Sequence, residues 1–446
     1  MKKTPVLKYR LLLCLAALVL LAAAGSSSSL AAEAKRLNVV LIISDDQGWK
    51  DYGFMGHPQI KTPHLDKLAS QSLVFTRGYV PSSICCPSLA SMLTGRYPHQ
   101  HKITCQDPPH PKSKTLREAI DDPEFRAGRE TINGYMRNVQ TIPRVLAPLG
   151  YGSLQTGKWW QGHFSNGGFT QGMSQDDPKH MARHGDEGLK IGRETMQPLY
   201  DFMAESQRAN KPFFVWYAPM LPHQPHNPPE RLLAKYRGVA PSLFIAKYWA
   251  MVEWFDETCG QLLDFLDQQN LASNTLVLYL SDNGWIQEPN AARFDPRSKQ
   301  SPYDGGNRTP IMIRWPGNVA AQRSTALASS LDLLPTIAAA TGAKPPADLP
   351  GVNLLSAALA ARTHLFGEGF THDYVDVGSP ARNVRFRWII EGEWKLIIPN
   401  RQNEPERRVE LYNLTKDPDE AANRAKDEPK LVESMRQTLD AWWAGK

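Results

Sequence analysis

From Asn38 onward, short runs rich in valine, isoleucine, leucine and aromatic residues alternate with stretches whose apolar positions recur at helical spacing. Residues 39–43 (Val-Val-Leu-Ile-Ile) are apolar throughout, the pattern of a strand buried on both faces. Residues 213–217 and 275–280 read the same way, and residues 151–155 form a weaker fourth run. Each run ends in a polar cluster. The first stops at Ser44-Asp45-Asp46-Gln47-Gly48, the third at Ser281-Asp282-Asn283-Gly284 and the fourth at Thr156-Gly157-Lys158. The second runs through Ala218-Pro219 into a Pro/His loop. Open α/β sheets bind ligands at the carboxyl ends of their strands, so these clusters mark one candidate site. Residues 245–268 read as a long amphipathic helix and 331–341 as a shorter one ended by Gly342. Beyond a Pro/Gly-rich stretch at 344–351, residues 388–398 read as a hairpin and 430–443 as a final helix. The pattern predicts an α/β fold: a large, mostly parallel mixed sheet sandwiched by helices, then a small C-terminal antiparallel sheet plus helix. The expected bounds are 33–350 for the catalytic domain and 351–446 for the C-terminal subdomain.

The first 32 residues follow a different pattern. Lys2, Lys3, Lys8 and Arg10 precede an apolar run at 11–24, a serine tract at 26–29 and the small pair Ala31-Ala32. This is the layout of a secretory signal peptide, expected over residues 1–32. Its apolar core is too short to span a bilayer comfortably, and no second candidate follows. The expectation is an exported protein, periplasmic or secreted, with no membrane attachment once the leader is removed. Four units of the formal net charge of +6 lie on those leader residues, and no basic stripe follows, which argues against nucleic acid as a partner. Hydrophobic residues at 41% and charged ones at 22% exclude a disordered chain. Outside the leader the cysteines are Cys85, Cys86, Cys105 and Cys259, too few for a disulfide scaffold, so a hydrophobic core must hold the fold.

Two clusters carry chemistry. Asp45-Asp46 and Asp282-Asn283 offer three carboxylates and an amide from equivalent positions after two strands. Hard oxygen donors suit Ca²⁺ or Mg²⁺ and not zinc, although one such pair alone is an ordinary turn cap. Cys85 and Cys86 stand just before the helical pattern of Ser88 to Leu93, where free amides favour anions and activate nucleophiles; a buried structural pair is the alternative.

The segment Cys85-Cys86-Pro87-Ser88-Leu89 followed by Leu93-Thr94-Gly95 resembles the signature of the sulfatase family, Cys-x-Pro-Ser-Arg and then Leu-Thr-Gly. The resemblance extends to the opening strand with Asp45-Asp46, to Gly157-Lys158-Trp159, to Pro222-His223-Gln224-Pro225 and to Ser281-Asp282-Asn283-Gly284. It also takes in Lys299 ahead of Tyr303-Asp304-Gly305-Gly306, and Glu410 to Leu414 with Asp417-Pro418 near the end. It implies an alkaline-phosphatase-like fold and a sulfuric ester hydrolase in which Cys85 is oxidised to formylglycine, whose hydrated aldehyde attacks sulfur. It further implies one Ca²⁺ held by Asp45, Asp46, Asp282, Asn283 and modified Cys85. Lys158 and Lys299 would neutralise the sulfuryl group, and His223 would protonate the leaving oxygen. The implied partners are a sulfated carbohydrate or other sulfate ester and a formylglycine-generating or equivalent maturase.

Two positions depart from the pattern. Leu89 stands where the family has arginine, and Trp160 where Gly-Lys-Trp is followed by histidine. His163, three residues further on, is the replacement within reach in sequence. Besides an active divergent sulfatase, two readings stay open: an inactive binder of sulfated glycans, or a one-metal phosphodiester or phosphonate hydrolase. Trp49, Trp159, Trp160 and Trp285 adjoin the candidate residues and could stack on sugar faces or pack in the core.

Overall fold

The computed structural model describes residues 36–110, 116–177 and 184–446; the expected leader lies outside them. Among the described residues, twelve strands form two sheets. The larger comprises β1 (Asn38–Ser44), β2 (Leu73–Tyr79), β3 (Gly152–Gly157), β4 (Gln171–Gly172), β5 (Phe213–Ala218), β6 (Thr275–Ser281), β7 (Arg308–Arg314) and β8 (Gln322–Ser329). Its order is β4-β3-β5-β1-β6-β7-β2-β8. Every pairing is parallel except those of β7 with β6 and β2. The four strands expected from sequence are therefore neighbours, β3-β5-β1-β6, at the middle of the sheet.

Their continuous apolar composition follows from burial on both faces. Along β1, Val39, Leu41 and Ile43 enter one apolar layer while Val40 and Ile42 enter the other. Phe214 and Trp216 of β5, with Leu276, Leu278 and Leu280 of β6, join the first layer, which the Cys85–Thr94 and Leu333–Thr341 helices cover. Phe213, Val215, Tyr217, Val277 and Tyr279 join the second, sealed by Met251, Phe255, Cys259, Leu262 and Leu266 of the Leu243–Gln268 helix. That helix starts two residues before the expected position because Ser242 caps it, its hydroxyl accepting from Ile245 N at 3.2 Å.

The smaller sheet contains β9 (His364–Phe370), β10 (Val384–Glu391), β11 (Trp394–Pro399) and β12 (Glu410–Asn413), all antiparallel in the order β12-β11-β10-β9. Ile389, Leu396, Ile398 and Leu411 pack under Met435 and Leu439 of the Pro429–Trp442 helix. The opposite face, with Trp388, Ile390 and Ile397, packs on Tyr79 and Leu327 of the large sheet. Among the described residues no helix is long and apolar enough to cross a membrane, and Cys85, Cys86, Cys105 and Cys259 are all free thiols.

Candidate active site at the carboxyl ends of four strands

Register assembles the site. β1 and β6 pair with Ser44 opposite Ser281, so Asp45-Asp46 and Asp282-Asn283 leave adjacent strands at the same level. β3 and β5 pair with Gly157 opposite Ala218, which brings Lys158 off the sheet beside them. Gly157 has φ +73, and a Cβ there would lie 1.8 Å from Ala218 O, so only glycine lets the chain turn into Lys158. The strand ends are tied together by hydrogen bonds from Asp45 N to Leu221 O (2.9 Å), Asp282 N to Ser44 O (2.9 Å) and Asp46 N to Asp282 Oδ1 (3.1 Å). Asp46 itself sits at φ +65, a conformation that aspartate tolerates better than most residues.

The side chains converge. Asp45, Asp46, Cys85 and His223 present donor atoms within 4.8 Å of one another. Lys299 Nζ donates to both oxygens of Asp46 at 2.7 and 2.8 Å and lies 3.2 Å from Cys85 Sγ. Lys158 Nζ forms an ion pair with Asp45 Oδ2 at 3.0 Å. Asn283 Nδ2 donates to Asp46 Oδ1 at 2.7 Å, and Cys85 Sγ is 3.7 Å from Asp45 Oδ1. Asp45, Asp46, Cys85, Lys158, His223, Asp282, Asn283 and Lys299 are thus in one cluster. Cys85 and Cys86 are the first two residues of the Cys85–Thr94 helix and do not precede it. Ser88 Oγ fastens this helix to the β6 loop by donating to Asp282 O at 2.5 Å.

Burial shapes the ionisation. Desolvation, reinforced by Asp45 and Asp46, raises the Asp282 carboxyl well above its usual range. Burial likewise pushes the Cys85 thiol up, with Asp282 adding to it and the two lysines opposing. Burial works against both lysine charges, yet the acids outweigh it: Asp46, then Cys85, raise Lys299, and Asp45, then Cys85, raise Lys158. Both remain ammonium groups. His223 keeps 17% of its side chain exposed at the mouth, but desolvation lowers its pKa well below 6.5. With Nδ1–H donating to Gln224 O at 2.5 Å, a neutral His223 turns the Nε2 lone pair toward Asp46 Oδ2 at 3.4 Å. Two acceptors face each other, an arrangement relieved by a proton or a cation between them.

The donor set fits a hard cation. Asp282 Oδ2 and Asn283 Oδ1 are buried oxygens with no hydrogen-bond donor, although buried acceptors are otherwise almost always satisfied. They belong to a group of three carboxylates and an amide, the chemistry of Ca²⁺ or Mg²⁺.

Some expectations change. Leu89 is buried in the first apolar layer, where its side chain serves packing. Trp159, Trp160 and Trp285 are at most 2% exposed, so no broad indole face is open for sugar stacking; only Trp49 is partly exposed. Trp159 packs edge-on against Phe169, and Trp160 lies beneath Lys158 Nζ, 5.7 Å from its ring centroid. His163 does not reach the cluster: half-buried, it bonds Ser165 Oγ at 2.8 Å and Gln175 Oε1 at 3.2 Å. Arg193, which no sequence pattern marked, clamps the histidine loop by donating to Met220 O and His223 O, both at 2.8 Å. Buried Arg129 holds the Trp160 carbonyl.

The chain is similar to known proteins along most of its length. Residues 37–343 match the family described as Sulfatase, and residues 293–443 match that described as N-sulphoglucosamine sulphohydrolase, C-terminal. Arylsulfatase A of Homo sapiens is 32% identical over 372 residues, covering 72% of this chain and 67% of the relative. N-acetylgalactosamine-6-sulfatase of Homo sapiens is 30% identical over 366 residues, covering 73% and 66%. The chain thus spans about two thirds of the length of these relatives. A solved structure in complex with its substrate D-glucosamine-2-N,6-O-disulfate superposes with a TM-score of 0.71 at 19% identity, covering 92% of this chain and 98% of that one. Sequence match, fold and the converged Asp/Cys/Lys cluster agree, and the chain belongs to the sulfatase family.

Proposed function

We propose that the protein is an exported sulfatase that hydrolyses sulfate esters of carbohydrate, with Cys85 converted to formylglycine and one Ca²⁺ held by Asp45, Asp46, Asp282, Asn283 and modified Cys85. The observation that carries this reading is the pair of donor-less buried oxygens, Asp282 Oδ2 and Asn283 Oδ1, in an acidic cluster around Cys85. Similarity to relatives named for sulfated sugars supports the substrate class. Residues 1–32 are then the leader, 33–350 the catalytic domain and 351–446 the C-terminal subdomain.

Bound Ca²⁺ supplies Lewis-acid polarisation of the sulfuryl group, and formylglycine supplies an oxygen nucleophile. The chain's own residues do the remaining work. Lys158 and Lys299, kept charged by Asp45 and Asp46, are preorganised to meet sulfuryl oxygens in a site largely closed to water. As the bond from sulfur to the sugar oxygen breaks, that oxygen would take a proton from Nε2 of the doubly protonated His223, leaving the neutral imidazole with its Nε2 lone pair, while Nδ1–H stays on Gln224 O and fixes the ring. The lowered pKa of His223 makes its protonated form a stronger acid. Leu89 leaves maturation by the partner maturase as the step to examine. The test is a mass spectrum of the tryptic peptide spanning residues 78–96, from protein exported by its own host. An aldehyde at Cys85 together with chelator-sensitive hydrolysis of 4-nitrophenyl sulfate is the expected result. An unmodified thiol in every molecule would overturn the formylglycine mechanism and favour a binder of sulfated glycans.

A further inference from the structure

The site lacks a histidine at Trp160, and the tertiary structure brings another to the same place. His184 packs edge-on against Trp160, ring centroids 4.3 Å apart, and its ring lies 6.2 Å from that of His223. The ring is therefore a neighbour of the histidine that belongs to the cluster. Resting on the reading of the site as a sulfatase centre, we propose that His184 is its second imidazole, donating an N–H to a non-bridging sulfuryl oxygen from the Trp160 side, opposite His223.

The backbone around His184 is held against the strand that delivers Lys158. Trp159 N donates to His184 O at 3.3 Å. A Cβ on Gly185 would lie 2.2 Å from Gly157 O, and one on Gly188 would lie 2.7 Å from the same atom, so the chain can approach the end of β3 this closely only as glycine. His184 itself is at φ +68, a conformation that costs a non-glycine residue energy and is often retained where function needs it. Trp160 is the shared platform: Lys158 Nζ stands over its face and His184 meets it edge-on. The imidazole is therefore positioned by the same turn that positions a lysine of the cluster. His163, the nearer histidine in sequence, is engaged elsewhere by Ser165 and Gln175.

The test compares H184G, H184N and H163A in the full-length protein from its own host. Glycine and asparagine both accept the left-handed backbone at this position, which keeps the fold accessible. Two readouts are taken: calorimetric affinity for inorganic sulfate, and hydrolysis of 4-nitrophenyl sulfate with and without added imidazole. The expected result for H184G is weakened sulfate binding and a loss of about 10²–10³-fold in kcat, the effect of removing one preorganised donor. Imidazole, or the side-chain N–H of H184N, restores part of it, and H163A behaves as wild type. Unchanged sulfate affinity and turnover in H184G overturns the proposal. A loss that neither imidazole nor asparagine reverses also overturns it, because it identifies a loop-packing role. If the wild-type protein hydrolyses no sulfate ester, the functional reading fails by itself, and sulfate affinity still decides the place of His184.

Discussion

Among the described residues, two of the clusters of buried charge are built from similar residues and satisfied to different degrees. One is the site at the ends of β3, β1 and β6. The other joins the two sheets: Lys395 Nζ on β11 donates to Asp304 Oδ1 at 2.9 Å and lies 3.1 Å from Glu420 Oε1. Tyr79 Oη and Arg308 reach Asp304 Oδ2 at 3.1 and 3.5 Å, and Asp304 N donates to Glu420 Oε2 at 2.6 Å. Both Asp304 oxygens have donors, Glu420 Oε1 has no hydrogen bond but is ion-paired with Lys395 Nζ, and the cations match the acids. In the site, three acids face two lysines, and oxygens of Asp282 and Asn283 have no donor. A buried ionic cluster that closes on itself ties elements together; one left open is arranged for something that is not part of the chain.

Asp282→Ala breaks the open cluster most severely. It should abolish Ca²⁺ binding and lower turnover by at least about 10³-fold, the scale of losing a transition-state charge stabiliser. Metal content and aryl sulfate hydrolysis report the change, and full turnover in chelator-treated protein would contradict the metal assignment. The closed cluster should respond in the other quantity. Lys395→Met leaves Asp304 and Glu420 buried without their ammonium partner and should cost about 3–5 kcal/mol in denaturant unfolding. Turnover per folded molecule should hold; a loss comparable to that of D282A would merge the two clusters into one functional unit.

The smallest effect sharpens the comparison through pH. Burial, with Asp304 adding and Lys395 opposing, raises Glu420 from the usual 4.5 to about 7. The native state therefore holds this proton more tightly than the unfolded chain. The resulting stability is fully present below pH 4.5 and is lost as pH rises through about 7. Glu420→Gln should flatten that dependence by about 2–3 kcal/mol between these limits. An unaltered pH–stability curve in E420Q would show that Glu420 does not carry the slope.

Local pattern made the four central strands legible, because a strand buried on both faces must be apolar at nearly every position and must end where polar residues begin. It also marked Asp45, Asp46, Cys85, Asp282 and Asn283, whose types and neighbours carry chemistry in short segments, while Lys158, His223 and Lys299 gained their roles from the resemblance to the sulfatase family. Other features had no local signal. Lys395 reads as one more lysine in a hairpin, and Asp304 as part of a glycine-rich turn; their pairing with Glu420 exists only because the small sheet packs on the large one. The tryptophans beside the candidate residues read equally well as sugar platforms or core, and burial selects core for Trp159, Trp160 and Trp285.

The histidines show the division most clearly. Proximity in sequence favours His163, but strand direction carries it away from the cluster, while a later turn returns His184 to Trp160 across the end of β3. Sequence alone determined which strands would be central and which chemical groups would stand at their ends, since both depend on composition within a few residues. Tertiary structure alone decided that these ends lie side by side, which acids find donors and which imidazole faces the site. Those outcomes depend on the register of strands far apart in the chain and on steric fit between turns, which no short segment encodes.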